Sequence, residues 1–438
     1  MSLPTKLLAD AGKEASRKLA TVPSEKRSAA IREAADCIER AASCLLEANA
    51  QDLAMAGKLL ANGEISAATI ERLRLTDNKI DEMARSMRAV ADLPDPVGRV
   101  LQRTELDKGL VLEKITCPLG VLAVIFEARP DAVTQISSLA LKSGNTVILK
   151  AGREVERTAE VLVEVIREST VRCGIPEAAV SLVTGREAVR ELLDMPDLID
   201  MVIPRGSKQF VEFIQNNTRI PVLGHAEGIC HVYADAAADT QMALDIIDDA
   251  KTDYPAACNA AETVLVHSQI AEAFLPRLAE LMHSKHVTLR GCENTREVLG
   301  DSSIEAVAED DWHHEYSDLV LAVRVVGSID EAIDHIHRFG SSHTETIVTQ
   351  DPAAAEEFLA RVDAAGVFHN ASTRFADGYR YGFGAEVGIS TSKLHARGPV
   401  GIEGLTTYKY VLRGSGQVVR DYHGANAKPF THRPLPHE

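Results

Sequence analysis

The sequence predicts an α/β protein with two parallel-sheet domains and a small late β-hairpin, and three observations carry that prediction. At 438 residues the chain is too long for one ordinary hydrophobic core, so two or three domains are expected. Short apolar, β-rich runs alternate with amphipathic helical stretches, which is the pattern of a parallel sheet covered on both faces. Apolar residues make up 45% and charged residues 25%, the balance of a globular chain rather than a disordered one.

Residues from about 3 to 92 read as helices. Between Ser24 and Leu60 the residues Ala29, Ile31, Ala34, Ala35, Ile38, Ala41, Ala42, Leu45 and Leu46 fall on one side at helical spacing. Thr76 and Asp77 are N-cap residues for the helix that follows, and Pro94 and Pro96 close the region in a loop. Residues 109–126 then read as strands broken by a turn at Pro118–Gly120. The alternation that follows predicts strands at Thr146–Lys150, Ala179–Val183 and Leu198–Ile203. Helices are expected at Glu154–Ser169, Glu187–Leu193 and Gln209–Asn216.

A second α/β set begins with helical patterns over Asp239–Tyr254 and Ala261–Leu281, interrupted around Cys258. Strands follow at Leu319–Val326 and Thr346–Val348. From Thr406 the pieces YKYVLRG and GQVVR, joined at Gly414-Ser415-Gly416, read as a hairpin. Such a hairpin needs a surface to cover its edge, and a subunit interface supplies one. The Pro-rich, polar tail from His423 is expected to be loosely held.

The formal charge of −17 argues against nucleic acid, since a phosphate-backbone binder needs a basic surface. It leaves room for a small anionic substrate, because local Arg and Lys side chains outweigh a distant field. The first twenty residues carry scattered charges and no apolar block, so no secretory leader is expected. Apolar runs such as Val121–Phe126 are far below the ~20 residues that cross a bilayer. Seven cysteines, an odd number with no C-x-x-C spacing, suggest a reducing compartment, which makes the cytoplasm the simplest location. The pairs His313-His314 and His335-x-His337 lack a partner set of ligands, so no metal is expected.

No G-x-G-x-x-G occurs, so the common dinucleotide fingerprint is absent. The segment Tyr254-Pro255-Ala256-Ala257-Cys258-Asn259-Ala260-Ala261-Glu262-Thr263 places a cysteine among small residues, ahead of a helix expected from Glu262. Small neighbours let a carbonyl approach the sulfur, and N–H groups opening a helix favour a thiolate and an oxyanion. From the residues alone, Cys258 is either such a nucleophile or an inert buried cysteine.

Several blocks decide between these. Val124-Ile125-Phe126-Glu127-Ala128-Arg129-Pro130-Asp131, Asp253–Asn259 and Asn370-Ala371-Ser372-Thr373-Arg374-Phe375-Ala376-Asp377-Gly378, with Glu386–Thr391, resemble the γ-glutamyl phosphate reductases of the aldehyde dehydrogenase superfamily. Leu141–Asn145, Pro221–Gly228 and His395–Pro399 resemble them too, so the likeness runs from about residue 5 to 420. It implies an aldehyde dehydrogenase-like α/β fold of two Rossmann-like domains with a small β-hairpin oligomerisation element. The implied boundaries are 1–105 and 120–229 for a cofactor-binding domain and 230–368 for a catalytic domain carrying Cys258. Residues 369–385 would return to the cofactor domain, 106–119 and 386–420 would form the hairpin elements, and 421–438 a tail.

The resemblance implies that Cys258 is the nucleophile and that Lys150 meets the cofactor's adenosine ribose. Arg153 stands where relatives that prefer NAD often carry a glutamate. A guanidinium there would pair with a 2′-phosphate, so NADPH is the expected cofactor. Gly206-Ser207 matches the step where the pyrophosphate approaches a helix start, and Glu315 the position that holds the nicotinamide ribose. Arg129, Arg374 and Arg397 are candidates for the anionic substrate. The implied reaction reduces L-glutamyl 5-phosphate to L-glutamate 5-semialdehyde with loss of phosphate, the second step from glutamate to proline. A small-molecule substrate, a homo-oligomer and a transient contact with glutamate 5-kinase are the expected partners, with no nucleic acid and no membrane.

Two departures bear on the chemistry. Hydrolytic relatives carry Trp-Asn-Phe-Pro, with the Asn amide in the oxyanion hole, where this chain has Glu127-Ala128-Arg129-Pro130. Glu227 could be read as the base that activates water, but a thioester consumed by hydride needs none, so it is given no role. A hydrolytic or CoA-acylating aldehyde dehydrogenase would share the fold and Cys258, and phosphate dependence separates these readings. A catalytically silent binding protein on the same scaffold would fail to bind NADPH.

Overall fold

The protein is described here as a computed structural model that covers residues 4–224, 227–300 and 304–436. His225 and Ala226, part of the 221–228 resemblance block, lie outside the described residues. In chain order the helices are α1 (Thr5–Leu19), α2 (Ser24–Arg40), α3 (Ala42–Ala61), α4 (Ala67–Leu73) and α5 (Asp77–Asp92). Strands β1 (Val100–Asp107), β2 (Leu110–Pro118) and β3 (Val121–Phe126) lead to α6 (Pro130–Lys142), β4 (Thr146–Ala151), α7 (Glu156–Arg172), β5 (Val180–Val183), α8 (Glu187–Leu193), β6 (Met201–Arg205) and α9 (Lys208–Asn216). Next come β7 (Cys230–Ala234), α10 (Thr240–Thr252), β8 (Ala261–His267), α11 (Ser268–Ser284), β9 (Thr288–Gly291), α12 (Glu293–Leu299) and β10 (Glu305–Ala306). The chain ends through β11 (Val320–Val326), α13 (Ile329–Phe339), β12 (Thr344–Val348), α14 (Pro352–Arg361), β13 (Gly366–His369), β14 (Ile389–Ser390), β15 (Gly398–Pro399), β16 (Thr406–Arg413) and β17 (Arg433–Pro434).

Two compact units result. The first comprises Met1–Leu223, Phe383–Gly388 and Val400–Glu438, and the second Gly224–Gly382 with Ile389–Pro399. In the first unit a parallel sheet runs in the order β5-β4-β3-β6. All six residues of β3 are buried, as a strand covered on both faces requires. Thr76 caps α5 by accepting from the Lys79 N–H at 3.3 Å, the role its sequence position predicted. The second unit is built on the sheet β10-β9-β11-β8-β7-β12-β13, parallel throughout.

The structure corrects several expectations. Ala261–His267 is strand β8 rather than the opening of a helix, and α11 starts only at Ser268. Thr263-Val264-Leu265-Val266 is a fully buried, largely β-branched run, and short apolar runs of this kind do not distinguish strand from buried helix by periodicity. The strand expected at Leu198–Ile203 lies later, at Met201–Arg205. The late hairpin does not form: β16 pairs along its whole length with β2, from Thr406 opposite Pro118 to Arg413 opposite Val111. Val419–Tyr422 is a 3-10 turn. The nine-residue edge of β2 satisfies more backbone groups than a short local hairpin could.

The tail is not loose within its described part. Arg433–Pro434 pairs with β1, Arg433 bridges Glu105 at 2.8 Å, and the Tyr422 and Phe430 rings stack at 4.4 Å. Residues 369–382, expected to return to the cofactor domain, stay with the second unit, and so do 389–399 within the expected hairpin span. The physical reason is local bonding. Asn370 accepts from the Thr349 N–H at 3.0 Å, Thr373 donates to the Asn259 carbonyl at 2.7 Å, and Arg397 pairs with Asp363 at 2.8 Å.

A polar cluster is sealed into the second unit. His335 on α13 packs edge-on against Trp312, with ring centroids 4.9 Å apart, and accepts at Nδ1 from Arg324 at 3.0 Å. Burial, reinforced by His231 and by the Arg324 and Arg338 charges, pushes the imidazole down to about 2. Its folded pKa therefore lies below the unfolded value of 6.5. Below that pH the unfolded chain binds a proton that the folded chain refuses, so stability is complete above about 6.5 and declines with acidification. Urea denaturation from pH 7 down to pH 5 should show the unfolding free energy falling by up to ~1.4 kcal/mol per pH unit from this residue. His335→Gln should flatten that slope, and an unchanged slope would refute the assignment.

Candidate active site

The segment around Cys258 links α10 to β8. Asp239 starts α10 by accepting from the Met242 N–H at 2.8 Å. After Thr252 the chain makes two tight turns, with Ala257 N–H bonded to Tyr254 O at 3.1 Å and Ala260 N–H to Ala257 O at 2.9 Å. Alanines at 256, 257, 260 and 261 leave the Cys258 side chain half-buried, with a free thiol. Cys258 sits at the N-terminal end of a strand, so the helix-start N–H groups expected for an oxyanion are not there. Its own backbone N–H has no acceptor among the described residues and remains available as a donor.

Five polar contacts hold this turn. Lys251 at the end of α10 and Glu262 at the start of β8 form an ion pair at 2.7 Å with both side chains buried, closing the base of the turn. Burial pushes the Glu262 carboxyl up to about 7 against the pull of Lys251, and it depresses the Lys251 ammonium. Asn259 is buried: its amide donates to Ala376 O at 3.0 Å, and its side-chain oxygen accepts from the Arg374 guanidinium. Arg374 also donates to Asp253 at 3.2 and 3.1 Å, so its guanidinium is committed to the two shoulders of the turn. Beneath, the fully buried Cys230 thiol donates to the Cys258 carbonyl at 3.4 Å, and burial raises its pKa well above the ordinary thiol value. A Cβ on Gly228 would fall on the Cys258 backbone, 2.7 Å from its Cα and closer to its carbonyl, so only glycine permits this approach.

In the first unit the expected cofactor residues gather at the C-terminal edge of the parallel sheet. Connections from β3 to β4 to β5 run one way, and β6 lies on the other side of β3. This reversal creates a crevice outside the strand ends, the usual place for a nucleotide in an open α/β sheet. Glu127 follows β3, Lys150 lies near the end of β4, and Gly206-Ser207 follows β6. Burial lowers the Lys150 ammonium, which donates to Ala151 O at 2.7 Å. Arg153 is exposed and pairs with Glu64 at 2.7 Å. Burial and the neighbouring Glu154 raise the Glu127 carboxyl. A Cβ on Gly206 would meet that carboxylate at 2.9 Å.

The other expected residues separate. Arg129 is exposed at the start of α6. Glu315 is half-buried ahead of β11, and its charge bears on Lys251 and Glu262. Arg397 is tied to Asp363, which Lys393 and Arg397 hold down to about 2, rather than to the Cys258 turn. Sequence reasoning missed Lys251, Glu262, Asp253, Arg380 and the purpose of Gly228. Gly228 and Asp253 stood in resemblance blocks, but the partners of all of these residues are chosen by the fold.

Comparison with known proteins identifies the class. A model of the aldehyde dehydrogenase family matches residues 5–295. The γ-glutamyl phosphate reductase of Natronomonas pharaonis is 51% identical over 432 residues, covering 99% of this chain and 98% of its own. That of Synechococcus sp. strain JA-3-3Ab is 52% identical, covering 96% and 92%. The crystal structure of γ-glutamyl phosphate reductase from Thermotoga maritima superposes with a TM-score of 0.91 at 39% identity, over 94% of this chain and 99% of that one. This chain belongs to the aldehyde dehydrogenase family, and within it to the γ-glutamyl phosphate reductases.

It is therefore an oxidoreductase of a family that works with a nicotinamide cofactor. The first-unit crevice fits such a group in outline, with a partly buried lysine and a glycine at a helix start on the two flanks of β3. The Glu127 carboxyl stands beside Gly206 at the start of α9, so its charge bears on any phosphate that approaches there.

The two structural devices around Cys258 give distinct expectations. Lys251→Met leaves Glu262 buried without its partner and should cost about 3–5 kcal/mol in urea denaturation. A Lys251→Met/Glu262→Leu double variant should recover most of that loss, since removing both charges removes the penalty. Gly228→Ala should lower kcat/KM on the order of a hundredfold by displacing the Cys258 backbone. Activity within threefold of wild type would show that this close approach is irrelevant.

Proposed function

We propose that this chain catalyses the NADPH-dependent reduction of L-glutamyl 5-phosphate to L-glutamate 5-semialdehyde with release of phosphate, through a thioester on Cys258. The observation that carries the reading is the Cys258 turn. It is a half-exposed thiol in a collar of alanines, braced at both shoulders, with an N–H on the same residue that has no acceptor among the described residues. The extent of the likeness to the reductases of Natronomonas and Thermotoga supports the substrate.

In this mechanism the Cys258 sulfur attacks the γ-carbonyl, a C–S bond forms, and the C–O bond to phosphate breaks. The Cys258 N–H faces the oxygen that gains charge, and the braced turn holds it there without reorganisation. The nicotinamide cofactor, when bound, supplies the hydride that reduces the thioester carbon. Cys258 then releases the semialdehyde as the C–S bond of the thiohemiacetal breaks, which restores the thiol. No base for water is required, in keeping with Glu227 having no assigned role.

Lys150, Gly206 and Ser207 would hold the adenosine side of the cofactor, with Glu315 on the nicotinamide ribose. Arg153 favours NADPH because it is a solvent-exposed cation whose partner Glu64 is equally exposed, a pair that a 2′-phosphate can replace at small cost. The substrate's anionic groups would draw on Arg129. Arg374 and Arg397 are committed to internal carboxylates, which assigns them to holding the loops in place. Association as a homo-oligomer is supported by β16, an edge strand with Tyr408, Tyr410 and Leu412 exposed. A transient contact with glutamate 5-kinase follows from the lability of the acyl phosphate.

The test runs the reaction backwards. NADP+ reduction by L-glutamate 5-semialdehyde should require inorganic phosphate or arsenate, and Cys258→Ala should lower it by ~10³-fold or more. Turnover that ignores phosphate would point to hydrolysis instead, and a fully active Cys258→Ala would remove the mechanism.

A further inference from the structure

Alongside the Cys258 turn the second unit contains a cavity of about 350 Å³ whose charges the chemistry above leaves unused. One wall is α10 and its exit, carrying Asp245, Asp249 and Asp253, and the other is the 370–375 segment with Arg380. Carboxylates at successive i, i+4 positions repel one another. Near a helix C-terminus they also face the negative end of the macrodipole, so the arrangement costs stability until a cation compensates it. Asp253 has compensation from Arg374 at 3.1 Å and Arg380 at 3.5 Å. Among the described residues Asp245 accepts only an amide hydrogen, from Gln241 at 2.9 Å. The Asp249 carboxylate is exposed on the cavity-lining face of α10, with no hydrogen bond and no ion pair among the described residues. Arg380 donates to the Arg374 carbonyl at 2.6 Å and keeps further N–H donors at the cavity.

The geometry points to this cavity as the site that reads the α-amino acid end of the substrate. Asp249, with Asp245, accepts from the α-ammonium, and Arg380 donates to the α-carboxylate. Two walls of opposite charge suit a zwitterion, whose two ionic groups sit on one carbon. The wall is continuous with the reactive turn, because Asp253 and Arg374 line the cavity while Arg374 grips Asn259, the neighbour of Cys258. Arg374 is a positioning residue, while Asp249 and Arg380 set specificity. This inference rests on the function proposed above and deepens it.

The experiment compares L-glutamate 5-semialdehyde with 5-oxopentanoate, the same aldehyde without its amino group, in the phosphate-dependent reverse reaction. Affinity is read as KM, or as competitive Ki for an aldehyde that is not turned over. Asp249→Asn should weaken the semialdehyde about tenfold or more, the loss of one charge-assisted hydrogen bond, with kcat within about threefold. It should leave 5-oxopentanoate unchanged. Arg380→Gln should weaken both compounds, since both carry the carboxylate. Thermal unfolding midpoints close to wild type exclude misfolding as the cause. If Asp249→Asn weakens both aldehydes equally, or neither variant changes affinity, the subsite is overturned. Absence of phosphate-dependent activity in the wild-type protein would instead defeat the underlying function, so the two failures are distinguishable.

Discussion

A lysine and a glutamate with no access to water form the constraint around which the Cys258 turn is organised. Lys251 and Glu262 lie 2.7 Å apart at the two ends of the segment that carries Cys258. A buried ion pair is a poor source of net stability, because desolvating both charges offsets most of their attraction. Its value here is geometric. A loop whose ends are tied by an interaction that is costly to break has few alternative conformations, and the sulfur it presents inherits that order.

Every other brace in the turn works from this closed base. Asn259 is pinned through its side chain and its carbonyl, Arg374 spans from Asn259 to Asp253, and the Cys230 thiol reaches the Cys258 carbonyl from below. The peptide groups beside Cys258 are thus fixed by partners that do not take part in bond making. Catalytic preorganisation of this kind has its reorganisation cost met during folding, so little remains at the moment of reaction. Among the described residues the Cys258 N–H has no acceptor, the one backbone donor of the turn that the braces leave open.

The arginines illustrate how charge is allotted. Arg374 and Arg397 are cationic residues in blocks that resemble a substrate-binding family, yet each is consumed by an internal carboxylate, Asp253 or Asp363. Arg380, which drew no attention in the sequence, keeps donors at a cavity edge. In the first unit Glu127 lies beside Gly206 at the start of α9, an internal anion in a position suited to a phosphate. Which charges meet ligands and which meet one another depends on distances that no linear spacing encodes.

The pattern along the chain was enough for the alternation of strand and helix, the first-unit strands from β2 to β5, the Thr76 cap and the small-residue setting of Cys258. These depend on local periodicity, turn residues and small-residue context, all of which act over a few positions. It misread Ala261–His267, because a short buried run looks alike as strand or helix. It also joined β16 to the wrong neighbour, because pairing is decided by whichever edge satisfies more backbone groups. That Gly228 must be glycine, that residues 251 and 262 should meet, and that Arg374 serves Asn259 follows only from the folded chain. Each is a contact between residues 11 to 115 positions apart, and long-range contacts are settled by packing the whole unit rather than by any stretch of chain.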